Sequence, residues 1–259
     1  MKTIQIDNSL VCYDDYDIDN KPELKQLIQT ESLKKILDSV KQDITLVLWW
    51  DGTMLRAIRD NHLSNRPFLG INFWTLGFLL NDKNWVTERT KSFTYRNYPL
   101  LEVKKDWEVL WVWFNDVNIY SPTGKMIEID LELQNSGHIN LRWDWVLVST
   151  PAWSTGHSKS HSGNILPHSS ENLVITPKWN LTPEHPKTIE NSIPVIIKNT
   201  GRKHELWVNL DGAQTFTSDY EEDVVLEIYK SSQSVQLLIA QEHEVDWEAK
   251  VMEQQWFKR

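Results

Sequence analysis

The sequence predicts an α/β plus all-β fold, in which an N-terminal α/β domain precedes a C-terminal β-sandwich-like domain. Residues 44–48 form a continuous apolar run followed by apolar residues at helical spacing, as in a buried parallel strand that leads into a helix. After about residue 95 the pattern changes to short apolar segments separated by polar turns, which is typical of β structure. With 259 residues, 40% of them hydrophobic, the chain is long enough for two cores.

The N-terminal elements are predicted to alternate between strands and helices. Residues 4–6 suggest an opening strand, and Pro22 is placed as the first residue of one helix whose apolar residues recur at helical spacing up to Val40. A turn, Asp51-Gly52-Thr53, follows the strand at 44–48, and a loop at 72–78 follows a second buried strand at 68–71. Because neighbouring parallel strands end at the same sheet edge, the two loops are expected to form a crevice.

The C-terminal half is predicted to consist of strands joined by polar turns, including Asp-Gly and Ser-Ser turns. The predicted strands are residues 100–103, 109–114, 117–120, 127–133, 145–149, 173–176, 194–197, 206–210, 224–229 and 235–239. We therefore predict an α/β domain at 1–95, a β-rich domain at 96–240 and a tail at 241–259 that packs back on the first domain. The functional site is expected between the two domains.

Composition and charge exclude several classes of protein. The formal net charge of −9 argues against a nucleic-acid-binding protein, which usually carries a basic surface. The sequence has no apolar run of the roughly 18 residues that a membrane span requires and no secretion signal at its start, so a cytoplasmic location and no membrane partner are expected. Cys12 is the single cysteine, which excludes an internal disulfide and a thiol-rich metal site.

The glycine and tryptophan contents are both unusual. The chain has 14 Trp and 9 Gly, whereas globular proteins contain about 7% glycine. Two of the tryptophans, Trp49 and Trp50, precede Asp51-Gly52-Thr53, where a turn that binds phosphate through its backbone N–H groups requires glycines. The excess of tryptophan and the shortage of glycine therefore coincide at residues 49 and 50, where the pattern suggests a ligand.

Several segments after residue 44, which follow one another in the family's order, resemble the motifs of the NAD kinase family. In that family the first motif is Gly-Gly-Asp-Gly-Thr, the second begins Gly-Ile-Asn, and a later one reads Ser-Thr-Pro-x-Gly-Ser-Thr-Ala-Tyr. The matching segments here are Trp49-Trp50-Asp51-Gly52-Thr53, residues 70–79, Asn115-Asp116, Arg142-Trp143-Asp144-Trp145, residues 149–157 and Asp211-Gly212. The family's tyrosine at the end of the late motif is His157 here.

The resemblance implies an activity and a set of site residues. The family transfers phosphate from ATP to the 2′-hydroxyl of the adenosine ribose of NAD, giving NADP, with Mg²⁺ or another divalent cation bound with ATP, in a homodimer or homotetramer. By this resemblance Asp51 is the general base, and the N-terminal domain is nucleotide-binding-like. The implied substrate-binding or nucleotide-binding residues are Gly52, Thr53, Asn72, Asn115, Asp116, Lys125, Arg142, Asp144, Thr155, Gly156, His157, Ser158, Lys159 and Ser160.

Each of these residues also has a structural interpretation. An Asp before Gly is commonly a turn residue, and Thr53 is suited to capping the following helix. Asn115-Asp116 could close a turn, and Arg142 could be an exposed charge. The spacing of His157 and His161 is compatible with zinc on a helix, but we predict no protein metal site. Gly-x-x-x-x-Gly-Lys-Ser/Thr and Gly-x-Gly-x-x-Gly motifs are absent, even if every Trp is read as Gly.

Two hypotheses explain the tryptophans at family glycine positions. In the first, they stand for glycine encoded by UGA, a codon that is read as tryptophan in some genetic codes and as glycine in others. In the second, they are real and the chain is a catalytically inactive nucleotide-binding or regulatory relative. If all six positions required a left-handed backbone, the strain would total about 6–12 kcal/mol, which is close to the stability of a domain. The positions are Trp49, Trp50, Trp74, Trp143, Trp145 and Trp153. A lipid kinase of the wider Gly-Gly-Asp-Gly-Thr group is a third alternative.

Overall fold

The computed structural model divides into two compact units. One comprises Met1–Tyr98 and the described chain from Ser234 on, and the other is Pro99–Gln233. Of the predicted tail at 241–259, only Gln241 is among the described residues. The residues that the structure describes are 1–14, 18–29, 31–74, 77–84, 92–106, 108–133, 137–143, 145–161, 163–178, 185–190, 194–199, 204–218 and 223–241.

The first unit is an α/β domain, as predicted. Its elements are β1 (Lys2–Ile6), β2 (Ser9–Tyr13), α1 (Pro22–Gln29), α2 (Glu31–Val40), β3 (Thr45–Trp49), α3 (Asp51–Asn61), β4 (Phe68–Asn72) and β5 (Asn81–Asp82). Strands β2, β3 and β4 lie parallel and side by side, and β5 is parallel to β4. The side chains of β3 are all buried, which explains its continuous apolar run. No helix in the described part of the chain has the length and apolar character needed to cross a membrane.

The predicted single helix from Pro22 to Val40 is wrong, because the structure has two helices, α1 and α2. The buried residues of α1 are Leu24 and Leu27, and the apolar stripe of α2 begins at Leu33. The six-residue step from Leu27 to Leu33 does not bring both side chains to one face of a continuous helix. Two helices allow both stripes to pack on the same core.

The second unit consists mainly of strands. Its elements are the end of β6 (Phe93–Lys105), β7 (Glu108–Trp113), β8 (Asp116–Tyr120), β9 (Ile127–Leu133), β10 (Gly137–Trp143), β11 (Trp145–Ser149), β12 (Asn172–Lys178), β13 (Lys187–Glu190), β14 (Val195–Asn199), β15 (Trp207–Leu210), β16 (Ala213–Thr217) and the start of β17 (Val225–Ala240). One sheet has the order β13-β12-β11-β8-β15-β16. The other contains β10, β9, β14, β17, β6 and β7.

A single buried cluster joins the two sheets of this unit. Val117 and Val148 contribute from one sheet, and Ile129 and Leu226 contribute from the other. Two sheets that share one apolar core form a sandwich, so the predicted C-terminal β-sandwich-like domain is confirmed.

The predicted Ser-Ser turn near residue 231 is wrong, because β17 runs without interruption through Ser231. The hydroxyl of Ser231 donates a hydrogen bond to the carboxylate of Glu102, and the hydroxyl of Tyr229 donates to the same carboxylate at 2.8 Å. These bonds satisfy the polar side chain within the sheet, so a residue type that favours turns remains in a strand. Strands β2, β5, β10, β13 and β16 were not predicted.

Candidate functional site

The carboxylate of Asp51 lies at the start of α3, directly after β3. Its side chain is buried, with the residue 7% exposed. Oδ2 accepts a hydrogen bond from the N–H of Phe78 at 2.9 Å, and Oδ1 accepts one from the N–H of Leu79 at 3.0 Å. The loop after β4 therefore fixes the carboxylate that the sequence places after β3.

Two further contacts bring the ends of β3 and β4 together. Trp49 and Asn72 are paired in register, and the N–H of Phe73 donates to the carbonyl of Trp49 at 2.8 Å. The Oδ1 of Asn72 accepts the N–H of Trp74 at 3.0 Å. A Cβ at Gly77 would lie 3.0 Å from the amide of Asn72, so glycine leaves room for that side chain. The structure thus places Asp51 and Asn72 at one sheet edge, as expected for parallel strands.

The predicted Asp51-Gly52-Thr53 turn is wrong, because these residues form the first turn of α3. The N–H groups of Thr53 and Met54 both donate to the carbonyl of Trp50. Thr53 does not cap the helix: Trp50 occupies the N-cap position and no side chain makes a cap bond. Thr53 is fully buried, and its hydroxyl has no hydrogen-bond partner among the described residues.

The tryptophans around this helix start differ in backbone strain. Trp49 has φ 140°, a conformation that glycine adopts readily and other residues adopt rarely. Among the described tryptophans at family glycine positions, Trp49 is the one with a positive φ. The strain considered for six positions therefore applies to one, at a cost of about 1–2 kcal/mol.

Bulk is the second effect of the tryptophans. The ring of Trp50 lies against the first turn of α3, where a Cβ on Gly52 would meet it at 2.7 Å. Trp50 and Trp74 are 42% and 49% exposed, although large apolar side chains are usually buried. The rings of Trp49 and Trp74 lie 5.9 Å apart, with Lys21 Nζ 5.5 Å and 5.2 Å from their centroids. The ring of Trp50 therefore covers the helix start that would receive a phosphate.

In the second unit, Asn115 and Asp116 lie at the start of β8 and are both buried, at 1% and 5% exposure. Asn115 Oδ1 has no hydrogen-bond partner in the described part of the chain. A buried polar atom without a partner costs free energy unless a ligand or water completes its hydrogen bonds. The Oδ2 of Asp116 lies 3.6 Å from Nδ1 of His157.

The segment after β11 supplies hydroxyl groups from an irregular helical turn. The structure has a 3₁₀ turn at Pro151–Trp153 and a π-type turn at Ser154–Ser158, with non-helical φ/ψ at Gly156. The Oγ1 of Thr155 is buried and has no partner among the described residues. A Cβ added to Gly156 would lie only 2.7 Å from the indole ring of Trp153.

The remaining predicted residues of this segment make local contacts. Ser158 Oγ lies 2.9 Å from Thr176 Oγ1, and the hydroxyl of Ser160 donates to the carbonyl of His157 at 2.7 Å. Lys159 ends the irregular turn. These bonds support a structural role for Ser158 and Ser160 beside any role in binding.

His157 and His161 pack around the ring of Trp145. The ring centroids of His157 and His161 lie 4.9 Å and 4.8 Å from that of Trp145, and Lys178 Nζ lies 4.3 Å from the same centroid. Burial lowers the pKa of His161, and the nearby charges of Lys178 and His157 lower it further. The described residues contain no group of three or more His, Cys, Asp or Glu side chains suited to a metal ion.

Two predicted residues, Arg142 and Lys125, are exposed on the second unit. Arg142, on β10, is exposed, and its Nε lies 3.5 Å from the carboxylate of Glu128 on β9. Lys125 is exposed in a turn after Gly124. Asp144 lies outside the described residues.

Asp211 is a residue whose role was not predicted. It follows β15 in a turn with φ 47°, and Gly212 follows with φ 75°. Its carboxylate accepts hydrogen bonds from the N–H groups of Phe114, Asn115 and Asp116 at 3.1, 2.7 and 3.3 Å. Burial raises its pKa to about 6, and the nearby charge of Asp116 contributes to this rise. In the sequence, the Asp-Gly pair indicated a turn and gave no sign of these contacts.

Sequence comparison supports one family. The model of the ATP-NAD kinase C-terminal domain matches residues 115–239. The NAD kinase of Flavobacterium johnsoniae is 31% identical over 206 residues, which cover 73% of this chain and 67% of that protein. The NAD kinase of Blochmanniella floridana is 28% identical over 197 residues, which cover 71% of this chain and 67% of that protein. The chain thus spans about two thirds of the length of these curated relatives.

Solved structures show the same fold. The NAD kinase of Archaeoglobus fulgidus, crystallised with ATP, has a TM-score of 0.65 at 19% identity, covering 93% of this chain and 97% of that one. The yeast NADH kinase, crystallised with NADH, has a TM-score of 0.66 at 20% identity, covering 84% of this chain and 68% of that one. The two-domain fold class predicted from the sequence is thus also found in these kinases.

Proposed function

Because the chain belongs to the NAD kinase family, we propose that it transfers the γ-phosphate of ATP to the 2′-hydroxyl of the adenosine ribose of NAD, giving NADP and ADP. The observation that carries this assignment is the carboxylate of Asp51, buried at a strand end and fixed by the N–H groups of Phe78 and Leu79. The position of Asp51 in the family's first motif and the geometry of its carboxylate both support a role in the transfer of phosphate.

Asp51 acts as the general base in this proposal. Each of its carboxylate oxygens accepts a backbone hydrogen bond, which holds the carboxylate in one orientation at the end of β3. The carboxylate takes the proton of the 2′-hydroxyl as that oxygen forms a bond to the γ-phosphorus. The bond between the γ-phosphorus and the bridging oxygen breaks, and ADP leaves. Mg²⁺ bound chiefly by the ATP phosphates would neutralise charge during the transfer.

We assign nucleoside binding to the second unit. The Oδ1 of Asn115 and the hydroxyl of Thr155 are buried polar atoms that have no partner among the described residues, as expected of groups that meet a ligand. The carboxylate of Asp116 can accept a hydrogen bond from a ribose hydroxyl or an exocyclic amine. The environment of Asn115 and Asp116 favours binding over a simple turn, because both side chains are buried.

We propose that the functional protein carries glycine at 49, 50, 74, 143, 145 and 153. Support comes from the positive φ of Trp49 and from the rings of Trp50 and Trp153, which lie against Gly52 and Gly156. A UGA codon read as glycine explains all six positions with one cause. The alternative is an inactive relative in which the tryptophans are real.

Peptide sequencing of the protein from its own source tests this part of the proposal. Residues 45–55 and 140–157 cover five of the six positions. Glycine there supports the UGA hypothesis, and tryptophan overturns it and leaves the inactive relative as the better explanation.

The activity is tested with a recombinant glycine variant, in which all six tryptophans are replaced by glycine. NADP formation from NAD and ATP is expected from this variant and not from the all-tryptophan chain. Asp51→Asn in the glycine variant should lower kcat by at least about a hundredfold, in the range of general base removal. Asp60→Asn is the matched control, because Asp60 lies exposed in the same helix beside Arg59. Phosphorylation of diacylglycerol or a sphingoid base instead of NAD would contradict the assignment.

We also propose a cytoplasmic homodimer or homotetramer. The family resemblance supports this assembly. Light scattering during size-exclusion chromatography measures the assembly directly, and a monomer at micromolar concentration would contradict it.

A further inference from the structure

Two residues bind every backbone polar group of residues 114–116. The carboxylate of Asp211 accepts the three N–H groups of Phe114, Asn115 and Asp116. The hydroxyl of Thr150 donates to the carbonyl of Phe114 at 3.0 Å, and its N–H donates to the carbonyl of Asn115 at 2.8 Å. The N–H of Asp211 donates to the carbonyl of Asp116 at 3.2 Å. We call this arrangement the 114–116 clamp.

The clamp is built from the ends of the two strands that flank β8. Thr150 directly follows Ser149, the last residue of β11, which pairs with Asp116. Asp211 directly follows Leu210, the last residue of β15, which pairs with Val117. Both residues therefore reach residues 114–116 from rigid neighbouring strands, and sites on such elements are held more exactly than sites on loops.

The contacts of Asp211 exceed what a turn requires. Asp106 has nearly the same left-handed backbone, φ 49° against 47°, in the turn after β6. For Asp106 the described structure shows an exposed side chain with no hydrogen bond to its carboxylate. Asp211 instead directs a carboxylate at three N–H groups, and charged acceptors form stronger hydrogen bonds than neutral ones.

We propose that Asp211 is a positioning residue for NAD, which acts by fixing Asn115 and Asp116 in the orientation that binds the nucleoside. This inference rests on the proposed function, because it takes Asn115 and Asp116 as the nucleoside-binding pair. Asp211 touches the backbone of the pair, and the pair's side chains meet the ligand. Loss of the carboxylate therefore weakens NAD binding and leaves ATP binding unchanged.

Asp211→Asn tests the proposal, with Asp106→Asn as the matched control in the same unit. An amide side chain cannot offer two acceptor oxygens, so at least one N–H of the clamp loses its partner. Hydrogen exchange of peptides that cover residues 114–116 should accelerate in Asp211→Asn and stay unchanged in Asp106→Asn. In the glycine variant, Asp211→Asn should raise KM for NAD about tenfold and change KM for ATP by less than about twofold.

Thr150 provides a second test if Asp211→Asn fails to fold. Thr150→Val removes the hydroxyl that donates to Phe114 and keeps the backbone N–H, whereas Thr150→Ser keeps both donors. Faster exchange at 114–116 and a higher KM for NAD in Thr150→Val, with recovery in Thr150→Ser, support the clamp.

Two outcomes overturn different proposals. Unchanged exchange and unchanged KM for NAD in Asp211→Asn, or equal changes in the KM values for NAD and ATP, contradict the positioning role. Absence of NAD phosphorylation in the glycine variant with Asp211 intact contradicts the proposed function. Hydrogen exchange at residues 114–116 still tests the clamp in that case, because the measurement requires no substrate.

Discussion

The Nδ1 atom of His157 lies 3.6 Å from the Oδ2 atom of Asp116, so a side chain on the turn after β11 faces the buried carboxylate at the start of β8. The His157 side chain is 32% exposed and that of Asp116 is 6% exposed. The imidazole therefore covers one side of the buried carboxylate and is itself partly exposed. This contact joins two residues that the family resemblance assigns separately to substrate binding.

We expect His157→Ala to raise KM for NAD by about three- to tenfold in the glycine variant, because the substitution removes the imidazole that lies beside the buried carboxylate of Asp116. His157→Tyr, which places the family's residue at this position, should recover most of the affinity. Steady-state kinetics with NAD varied at saturating ATP measures the effect. His62→Ala is the control, because His62 lies in an exposed turn after α3. An unchanged KM for NAD would exclude a role of His157 in binding.

Trp49→Gly should give a more stable protein than Trp49→Ala, by about 1 kcal/mol. Both substitutions remove the same indole, but alanine retains the strain of φ 140° and glycine does not. The two variants are compared by urea denaturation, from the free energy of unfolding.

Trp145 is the matched control for this comparison. It lies in β11, and its φ is not among the positive values. Trp145→Ala should be at least as stable as Trp145→Gly, because glycine in a strand interior costs about 0.5–1 kcal/mol relative to alanine. The same order of stability at both positions would show that strain at Trp49 is not the cause.

The location of Asp51 was predictable from the sequence because it depends on a local pattern. An apolar strand followed by a polar loop specifies which sheet edge the carboxylate occupies, and Asn72 follows a second strand in the same way. The environment of the Asp51 carboxylate was less predictable. The N–H groups that bind it belong to Phe78 and Leu79, on a separate loop.

The role of Asp211 was not predictable because it depends on long-range contacts. Nearly a hundred residues separate Asp211 from the N–H groups it binds, and the periodicity of apolar residues does not predict contacts between segments so far apart in the sequence. The short π-type turn at Ser154–Ser158 was likewise not predictable, since hydroxyl residues before a glycine equally suit a helix start. Local patterns thus identified the segments, and the pairing of strands determined which residues meet.

Stability should depend on pH through Asp211. Its pKa rises from 3.8 to about 6 on folding, so between these values the folded protein binds more protons than the unfolded chain. The contribution of this group to the free energy of unfolding therefore falls as pH rises from about 4 to about 6, by at most about 3 kcal/mol. The fall is complete about one pH unit above the pKa of the folded state, and the contribution is constant at higher pH.

In Asp211→Asn, the free energy of unfolding should lack the decrease that titration of Asp211 causes as pH rises. Urea denaturation of both proteins at several pH values from 4 to 7 gives the difference directly, and other titrating groups cancel in that difference. Asp106→Asn serves as the control and should follow the unsubstituted protein. Parallel pH profiles of Asp211→Asn and the unsubstituted protein would contradict a raised pKa at Asp211.

Retaining Trp50 should impair ATP binding more than retaining Trp74. The ring of Trp50 lies 2.7 Å from the Cβ position of Gly52, at the first turn of α3, whereas Trp74 is 49% exposed in the loop after β4. Helix N-terminal N–H groups are favourable partners of phosphate, and a ring over them blocks that approach. Two proteins are compared, each with five of the six tryptophans replaced by glycine, one keeping Trp50 and the other Trp74. We expect KM for ATP to be at least about tenfold higher in the protein that keeps Trp50, a difference of about 1.4 kcal/mol in binding. Equal KM values would show that the indole of Trp50 does not block the phosphate site.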